Sequence, residues 1–480
     1  MRNFPFAALC ALALSGCTVG PNYVRPDTEV PAAWRIEYPM ATEAADTRWW
    51  EQFDDPVLND LVETSLRENR DVRIAAARVD QFIGALTSTR SQLYPQVGYG
   101  ADVSRFRASR LGVPALPPGV DNYFTLYEAN LGAQWQLDLF GRVRRQTEAA
   151  QAQVYASIQG RRGVVLTLVA SVTSSYIGLR ALDRQLEIAQ ATARNFGETQ
   201  RIFKLRFKAG LVSQTEVSQI DSQYQQALAA IPAIEQAIAA QENLISVLLG
   251  RNAQAIARGK TIDQLVPPLI PANLPSTLLE RRPDILQAEQ NLVAANANIG
   301  AARAQYFPTL SLTGALGSAS TAFSDFLSGP ASAWLIGASL AGPIFTFGGI
   351  EGQVRAAEAQ QQQALNAYQQ TILNAFRETN DALVGSQKKI EEVARQNQRV
   401  VSLREFARLS RLKFDKGIAS YLEVLVAENE LFAAELSAVN LLAQRYIQLV
   451  NVYQAMGGGW VDIAGSIAPR PQGLAATPAS

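Results

Sequence analysis

The chain has 480 residues, a length compatible with two to four domains. Its 43 Lys plus Arg balance its 43 Asp plus Glu, which argues against a nucleic-acid partner, and it has no histidine, which removes the usual general base and the commonest metal ligand. No nucleophile–base pair and no glycine-rich phosphate loop can be placed, so the sequence predicts a protein that is not an enzyme and has neither catalytic residues nor a metal site.

The N-terminus has the pattern of a secretory signal. Arg2 supplies a positive charge, the apolar run from Phe4 to Leu14 is too short to span a bilayer, and small residues then lead to Cys17. We therefore predict a signal peptide over residues 1–16, cleaved before Cys17, which becomes an N-acyl diacylglycerol lipid anchor. This covalent lipid is the only cofactor expected. An ordinary signal peptide with an incidental cysteine is the alternative.

The residues around the anchor restrict where the mature chain resides. Thr18 permits sorting to the outer membrane, since an aspartate at this position would argue for retention in the inner membrane. Cys10 leaves with the signal and Cys17 is acylated, so no disulfide is expected. Past residue 17 we find no apolar run approaching the length of a transmembrane helix, so a membrane crossing would require a β-barrel.

Two groups of motifs occur twice in the chain. Arg90 to Pro95 returns 213 residues later as Arg303 to Pro308, and Leu205 to Gly210 returns 207 residues later as Leu412 to Gly417. One long duplication predicts two related halves rather than a solenoid of short repeats. The predicted domains are a lipidated N-terminal segment (17–57), a first repeat (58–250), a proline-rich equatorial linker (251–275), a second repeat (276–457) and a C-terminal tail (458–480).

Each repeat begins with a helical stretch that leads into a hairpin. Helices are predicted over 58–94 and 276–307, and hairpins over about 95–140 and 308–346. The clearest strand, Tyr123 to Leu137, alternates apolar and polar residues, and four such segments match the length of a tilted membrane strand, about ten residues. Two soluble hairpins packed on a core are the alternative.

Long helices follow each hairpin. The stretches 141–208 and 349–416 contain no proline and would each be about 100 Å long as helices. Their apolar residues keep the 3–4 spacing of a coiled-coil seam. Shorter helices return over 214–249 and 421–456, and Pro232 is expected to kink the first of them. A soluble coiled-coil scaffold would have the same periodicity.

The order of these elements restricts the assembly. Every hairpin is entered from a helix and left into a helix, so all helices lie on one side of the membrane, which is the periplasm for a chain lipidated there. The connecting loops, 107–121 and 318–332, lie on the other side. Four strands cannot close a barrel, for which about eight are the practical minimum. The chain must therefore assemble, as a dimer with eight strands or a trimer with twelve.

Several motifs, in order along the chain, resemble a known family. They are Cys17-Thr18-Val19-Gly20-Pro21-Asn22-Tyr23, Trp49-Trp50, Asp55-Pro56, Leu274-Pro275-Ser276 and Arg281-Arg282-Pro283-Asp284-Ile285. Nearly the whole chain is similar to the TolC-like outer-membrane factors, and among them to the OprM and NodT efflux lipoproteins. The resemblance implies an α+β membrane protein in which a duplicated helix–β-hairpin–long-helix unit gives four strands per chain. Three chains would build a twelve-stranded β-barrel on a long periplasmic α-helical barrel.

The resemblance also implies the function and the partners. The chain would be the outer-membrane channel of a tripartite efflux system, a passive exit duct for drugs or other small toxic compounds. It would be a homotrimer embedded in outer-membrane lipid, docked to a periplasmic membrane-fusion adaptor and an inner-membrane pump of the RND type, and would bind no nucleic acid. The alternatives are a duct for type I protein secretion and a non-channel periplasmic coiled-coil scaffold lipoprotein.

The candidate site residues lie at the two turns between long helices. The first turn, Gly210, Leu211, Val212 and Ser213, and the second turn, Gly417, Ile418, Ala419 and Ser420, resemble adaptor-docking tips, and each serine is placed to cap the next helix. Many relatives carry an aspartate and an arginine after the second turn, where this chain has Val426 and Asn429. In place of that ion-pair latch we predict a periplasmic gate of Tyr421, Leu422, Glu423 and Glu428. Leu422 as a coiled-coil seam residue is the alternative.

Overall fold

A computed structural model describes residues 18–36, 47–111, 117, 119, 121–270 and 278–475. The predicted signal peptide, Cys17 and the last residues of the proline-rich linker lie outside the described residues. The chain divides into two compact units. The first comprises residues 1–27, 81–156 and 288–368, and the second comprises 28–80, 157–287 and 369–480.

Helices account for most of the described residues. The long ones were predicted nearly to the residue, because glycines end them and no proline interrupts the two longest. In chain order they are α1 (Pro56–Glu68), α2 (Arg70–Ser91), α3 (Arg142–Lys208), α4 (Gln214–Leu248), α5 (Leu278–Arg281), α6 (Pro283–Arg303), α7 (Gly349–Asp415), α8 (Tyr421–Met456), α9 (Trp460–Ile467) and α10 (Gln472–Ala475).

Two stretches that we predicted as continuous helices are interrupted. Asn69, between α1 and α2, accepts hydrogen bonds from the backbone N–H groups of Asp71 and Val72, as an N-cap does. Arg282 separates α5 from α6, and Pro283 begins α6, where the missing N–H of proline costs no helical hydrogen bond. Pro232 lies inside α4, and the helix continues through it.

The first unit contains one antiparallel sheet. Its strands are β1 (Gln96–Arg107), β2 (Tyr123–Leu137), β3 (Thr309–Ser320) and β4 (Ser332–Ala341), hydrogen-bonded in that order. Both hairpins were predicted, and the neighbouring pair β2–β3 joins the two repeats in one sheet. The outer edges, β1 on one side and β4 on the other, have no partner strand within the sheet.

Aromatic side chains form the centre of the second unit. Trp49 stacks on Tyr453 with ring centroids 4.9 Å apart and meets Trp460 edge-on at 5.8 Å. Asp55 is fully buried and accepts hydrogen bonds from the Tyr176 hydroxyl and from the backbone N–H of Lys260. The tryptophan and Asp-Pro motifs of the sequence are therefore packing and capping residues that bind the N-terminal segment to this core.

Among the residues that the structure describes, one helix is apolar enough by length and composition to cross a membrane. It is α3, which contains an 18-residue stretch with a mean hydropathy of 1.5, contrary to our sequence expectation that no such run follows residue 17. Of that stretch, 67% is buried inside the fold, as in the core helix of a helical bundle. Small and branched apolar residues give α3 both its hydropathy and its tight packing.

Candidate functional sites: two helical turns, a sheet and an N-terminal strap

The turn between α3 and α4 is closed at both ends by local hydrogen bonds. Gly210 adopts a φ of +73°, and the N–H of Leu211 donates to the Arg206 carbonyl at 2.9 Å. Ser213 then caps α4: its hydroxyl accepts from the N–H of Glu216 at 3.3 Å, and its own N–H donates to the Glu216 carboxylate at 2.7 Å. This reciprocal capping box agrees with the predicted role of Ser213 as a cap.

The turn between α7 and α8 has the same backbone but a different cap. Gly417 has a φ of +70°, and the N–H of Ile418 donates to the Lys413 carbonyl at 2.9 Å. Ser420 occupies the N-cap position, yet its side chain makes no capping hydrogen bond, so our prediction of a side-chain cap at Ser420 is wrong. The N–H of Glu423, which would donate to a capping serine hydroxyl, donates to the Ser420 carbonyl at 3.2 Å, and the Glu423 carboxylate faces α7 and accepts from the Lys413 ammonium at 3.0 Å.

An aromatic cluster packs the two turns together. Phe203 of α3 lies 4.3 Å from Tyr421 and 6.0 Å from Phe414, and Phe414 lies 5.1 Å from Tyr421, measured between ring centroids. Tyr421 is buried, and desolvation raises the pKa of its hydroxyl to about 12. Within the chain Tyr421 is thus a packing residue of the second turn, and its assignment to a gate stays a prediction.

The other gate candidates differ in exposure and in charge partners. Leu422 is 54% exposed, which is more than a seam residue of a paired helix would be. Glu428 is partly buried and lies 3.7 Å from the Arg411 guanidinium. Burial raises the pKa of the Glu428 carboxyl, and the positive charge of Arg411 opposes that rise. Both predicted gate carboxylates, Glu423 and Glu428, therefore face basic side chains of α7.

The sheet has one apolar and one largely polar face. A row of apolar side chains crosses all four strands in register, from Tyr99 to Leu131 to Leu316 to Trp334, and all four are exposed. On the opposite face Asp102 pairs directly with Glu128, although Leu335 and, toward the β1–β2 loop, Phe106, Phe124 and Leu126 are apolar residues there. A sheet with an exposed apolar face and a polar face is suited to separate lipid from a water-filled interior.

A strap formed by residues 18–22 packs within the first unit against α3. Arg145 is buried and donates to the carbonyls of Val19 and Gly20, each at 3.3 Å, and to the Asn22 side chain at 2.8 Å. Gly20 has a φ of +103°, and a Cβ added there would lie 2.4 Å from the Cα of Gly300. Sequence reasoning missed Arg145, because nothing in its neighbourhood distinguishes it from Arg142 or Arg144.

Comparison with known proteins identifies the family. Residues 61–251 and 274–458 match the family described as outer membrane efflux protein. A probable efflux pump outer membrane protein, TtgC of Pseudomonas putida, is 33% identical over 95% of this chain and 96% of its own length. A probable outer membrane lipoprotein, SilC of Salmonella typhimurium, is 31% identical over 94% and 97%.

Solved structures show the same architecture. One is a crystal structure of CusC that concerns its folding and transmembrane channel formation. Its sequence is 31% identical, the match covers 92% of this chain and 100% of the CusC chain, and the TM-score is 0.82. The fold class expected for one chain, a duplicated helix–hairpin–long-helix unit with four strands, is confirmed. The chain belongs to the outer membrane efflux protein family and is the outer-membrane channel component of an efflux system, a passive channel and not an enzyme.

Proposed function

We propose that three copies of this chain form the exit duct of a tripartite efflux system for small toxic compounds, docked to a periplasmic adaptor and an inner-membrane pump of the RND type. The observation that carries the assembly is the sheet. Its apolar face is exposed and its edge strands β1 and β4 have no partner within it. Unpaired edges cannot be exposed to lipid, and twelve strands from three chains would remove them.

Lipid anchoring at Cys17 and a periplasmic position of the long helices belong to this proposal. The similarity to SilC, a probable outer membrane lipoprotein, supports the anchor. The docked strap also supports it, since Thr18 follows Cys17 directly and lies against Gly141, where β2 leads into α3. Replacement of Cys17 by serine should abolish incorporation of labelled palmitate. Incorporation at the wild-type level would contradict the anchor.

The two turns are the proposed adaptor-docking tips. Leu211 and Ile418 occupy equivalent positions after the two turn glycines, and both apolar side chains are exposed. Exposed apolar side chains on a rigid turn offer a surface on which a partner's helices can pack. Val212, Ser213, Ala419 and Ser420 complete the proposed tips.

The proposed gate is a ring of Leu422 residues at the periplasmic end, with Glu423 and Glu428 nearby and Tyr421 packing behind it. An apolar ring closes a pore by excluding water and needs no ion pairs. Because Lys413 and Arg411 face the two carboxylates, we expect only a modest preference for cations.

The test combines oligomer mass with single-channel conductance. In mild detergent the 52.1 kDa chain, less its signal, should give a trimer that conducts poorly at rest in a planar bilayer. Leu422→Ser should raise the conductance and sensitise cells to vancomycin, whereas Leu412→Ser, an exposed residue of α7, should do neither. A conducting monomer would contradict the assembly, and an unchanged conductance in Leu422→Ser would move the constriction elsewhere.

A further inference from the structure

The chain turns twice from a strand into a long helix, with related sequences. Leu139-Phe140-Gly141 joins β2 to α3, and Thr346-Phe347-Gly348 joins β4 to α7, 207 residues later. That spacing is the one that relates the two helical turns. The glycines adopt nearly the same backbone conformation, with φ of +78° at Gly141 and +83° at Gly348. The two junctions are thus equivalent positions of the duplicated unit.

The first junction is covered by the chain itself. Phe140 stacks on Phe307, with ring centroids 4.5 Å apart and planes 19° apart. Phe307 lies just before β3, the strand that pairs with β2. The Phe140 carbonyl also accepts from the N–H of Val19, and a Cβ added to Gly141 would lie 2.9 Å from the Thr18 side chain.

The second junction is open. Phe347 is 89% exposed, and Phe345 and Ile344 beside it are exposed as well. A Cβ added to Gly348 would meet nothing within 4 Å. Phe347 has a φ of +49°, a left-handed conformation that is rare for a bulky residue and persists where the surroundings impose it. Within the described part of the chain, the neighbour of the Phe347 ring is Phe345, at 4.2 Å.

The duplication identifies what covers the open junction. Phe140 follows β2 and packs on Phe307, which precedes β3, the strand next to β2. Phe347 follows β4, so the corresponding strand is the one that would pair with the open edge of β4. The repeat of Phe307-Pro308 is Tyr94-Pro95, which precedes β1, the other open edge of the sheet. Tyr94 is itself 57% exposed. An exposed ring therefore lies at each end of the four-stranded sheet.

We infer that Phe347 stacks on Tyr94 of a second copy of this chain, as Phe140 stacks on Phe307 within one copy. Leu137 of β2 pairs with Leu310 of β3, and the residues that correspond to them are Ile344 and Val97. The inference therefore also places Ile344 against Val97 of the second copy, and both side chains are exposed in the single chain. Each copy supplies one half of each aromatic pair, so the contact is incomplete without a neighbour. The inference rests on the assembly proposed above and specifies its register at the base of the sheet.

The test is chemical crosslinking of paired cysteines in the full-length lipidated chain in its membrane. Tyr94→Cys with Phe347→Cys, treated with a short bismaleimide, should give covalent dimers and trimers on a denaturing gel. Phe140→Cys with Phe307→Cys should give a crosslink within one chain and no such ladder. Tyr94→Cys with Phe323→Cys, which places the second cysteine in the β3–β4 loop, should give neither.

Outcomes separate this contact from the assembly itself. If the Tyr94–Phe347 cysteine variant still forms conducting trimers but gives no crosslink between chains, the contact is wrong and the Phe347 ring faces lipid. If the unmodified chain forms no oligomer and no channel, the proposed function fails with it. A second variant avoids dependence on cysteine geometry. Phe347→Ala should lower the fraction of oligomer that resists detergent by about two- to tenfold, the range for loss of an aromatic pair, whereas a lipid-facing ring would leave that fraction unchanged.

Discussion

The two helical turns share a backbone and differ in what their equivalent side chains do. Ser213 and Glu216 of the first turn correspond to Ser420 and Glu423 of the second, at the same spacing of 207 residues. In the first turn the pair forms a capping box, whereas in the second turn the Glu423 carboxylate accepts a hydrogen bond from Lys413. A local signal of helix capping therefore holds in one copy of the repeat and gives way to a contact between helices in the other.

The difference has a structural source in the basic residue near the end of the helix before each turn. Lys413 corresponds to Arg206, and Arg206 lies over the rings of Phe203 and Phe414, 5.7 to 6.0 Å from their centroids. Because the Arg206 guanidinium lies over these aromatic rings, Glu216 of the first turn is free to cap α4. In the second turn the ammonium of Lys413 is available, and Glu423 pairs with it. We therefore expect the first turn to depend on its cap and the second on an ion pair.

The largest effect is expected where the two turns meet. Phe203→Ala removes a buried ring that contacts both Phe414 and Tyr421, and truncations of this kind cost about 3–5 kcal/mol. Amide hydrogen exchange should show faster local opening of both turns. Phe207→Ala, an exposed residue one turn along α3, should change opening by less than about 0.5 kcal/mol. Opening confined to the first turn would mean that the cluster does not couple them.

The two serines should respond differently to the same change. Ser213→Ala removes one half of a capping box and should lower the local opening free energy of α4 by about 0.5–2 kcal/mol. Ser420→Ala removes a hydroxyl that caps nothing and should have an effect below about 0.5 kcal/mol. Hydrogen exchange at the amides of the first turn of α4 and of α8 measures both. Equal losses would show that Ser420 does cap α8 in the assembled protein.

The two glutamates should differ in salt dependence. Glu423→Gln weakens the pair with Lys413, whose side chain is about half exposed, so the loss should be about 0.2–1 kcal/mol and should shrink as salt is added. Glu216→Gln keeps an acceptor for the Ser213 N–H and should show little salt dependence. A salt-dependent loss in Glu216→Gln, and none in Glu423→Gln, would reverse the comparison.

The smallest effect is expected from pH at the second turn. Burial raises the pKa of the Glu428 carboxyl, so its protonated form is favoured in the fold and its contribution to stability is lost as pH rises through the raised pKa. Opening of α8, corrected for intrinsic exchange rates, should therefore be slightly less frequent in mild acid than at neutral pH. Glu428→Gln should flatten this profile, whereas Glu430→Gln, on the exposed side of α8, should not.

Features set by neighbouring residues could be predicted from the sequence. Gly210 and Gly417 end the long helices, Pro95 and Pro308 precede the strands, and alternation defined all four strands. These signals act over a few residues, so they hold whatever the rest of the chain does. The duplication added a long-range fact, because a repeated motif shows which positions are equivalent.

Contacts between distant residues were decided by the tertiary structure. Ile390 is one of the apolar residues of α7 whose 3–4 spacing predicts a buried coiled-coil seam, and it is nevertheless exposed. Tyr421 is buried by a ring of α3, and Arg145 binds a strap more than a hundred residues away. Each outcome depends on which side chain another helix or segment brings near, and periodicity within one segment carries no information about that. The sequence by itself determined where the four strands and the long helices after each hairpin lie, although it missed the breaks at Asn69 and Arg282. Only the packing of distant segments decided that Glu216 caps a helix and that Glu423 joins two helices.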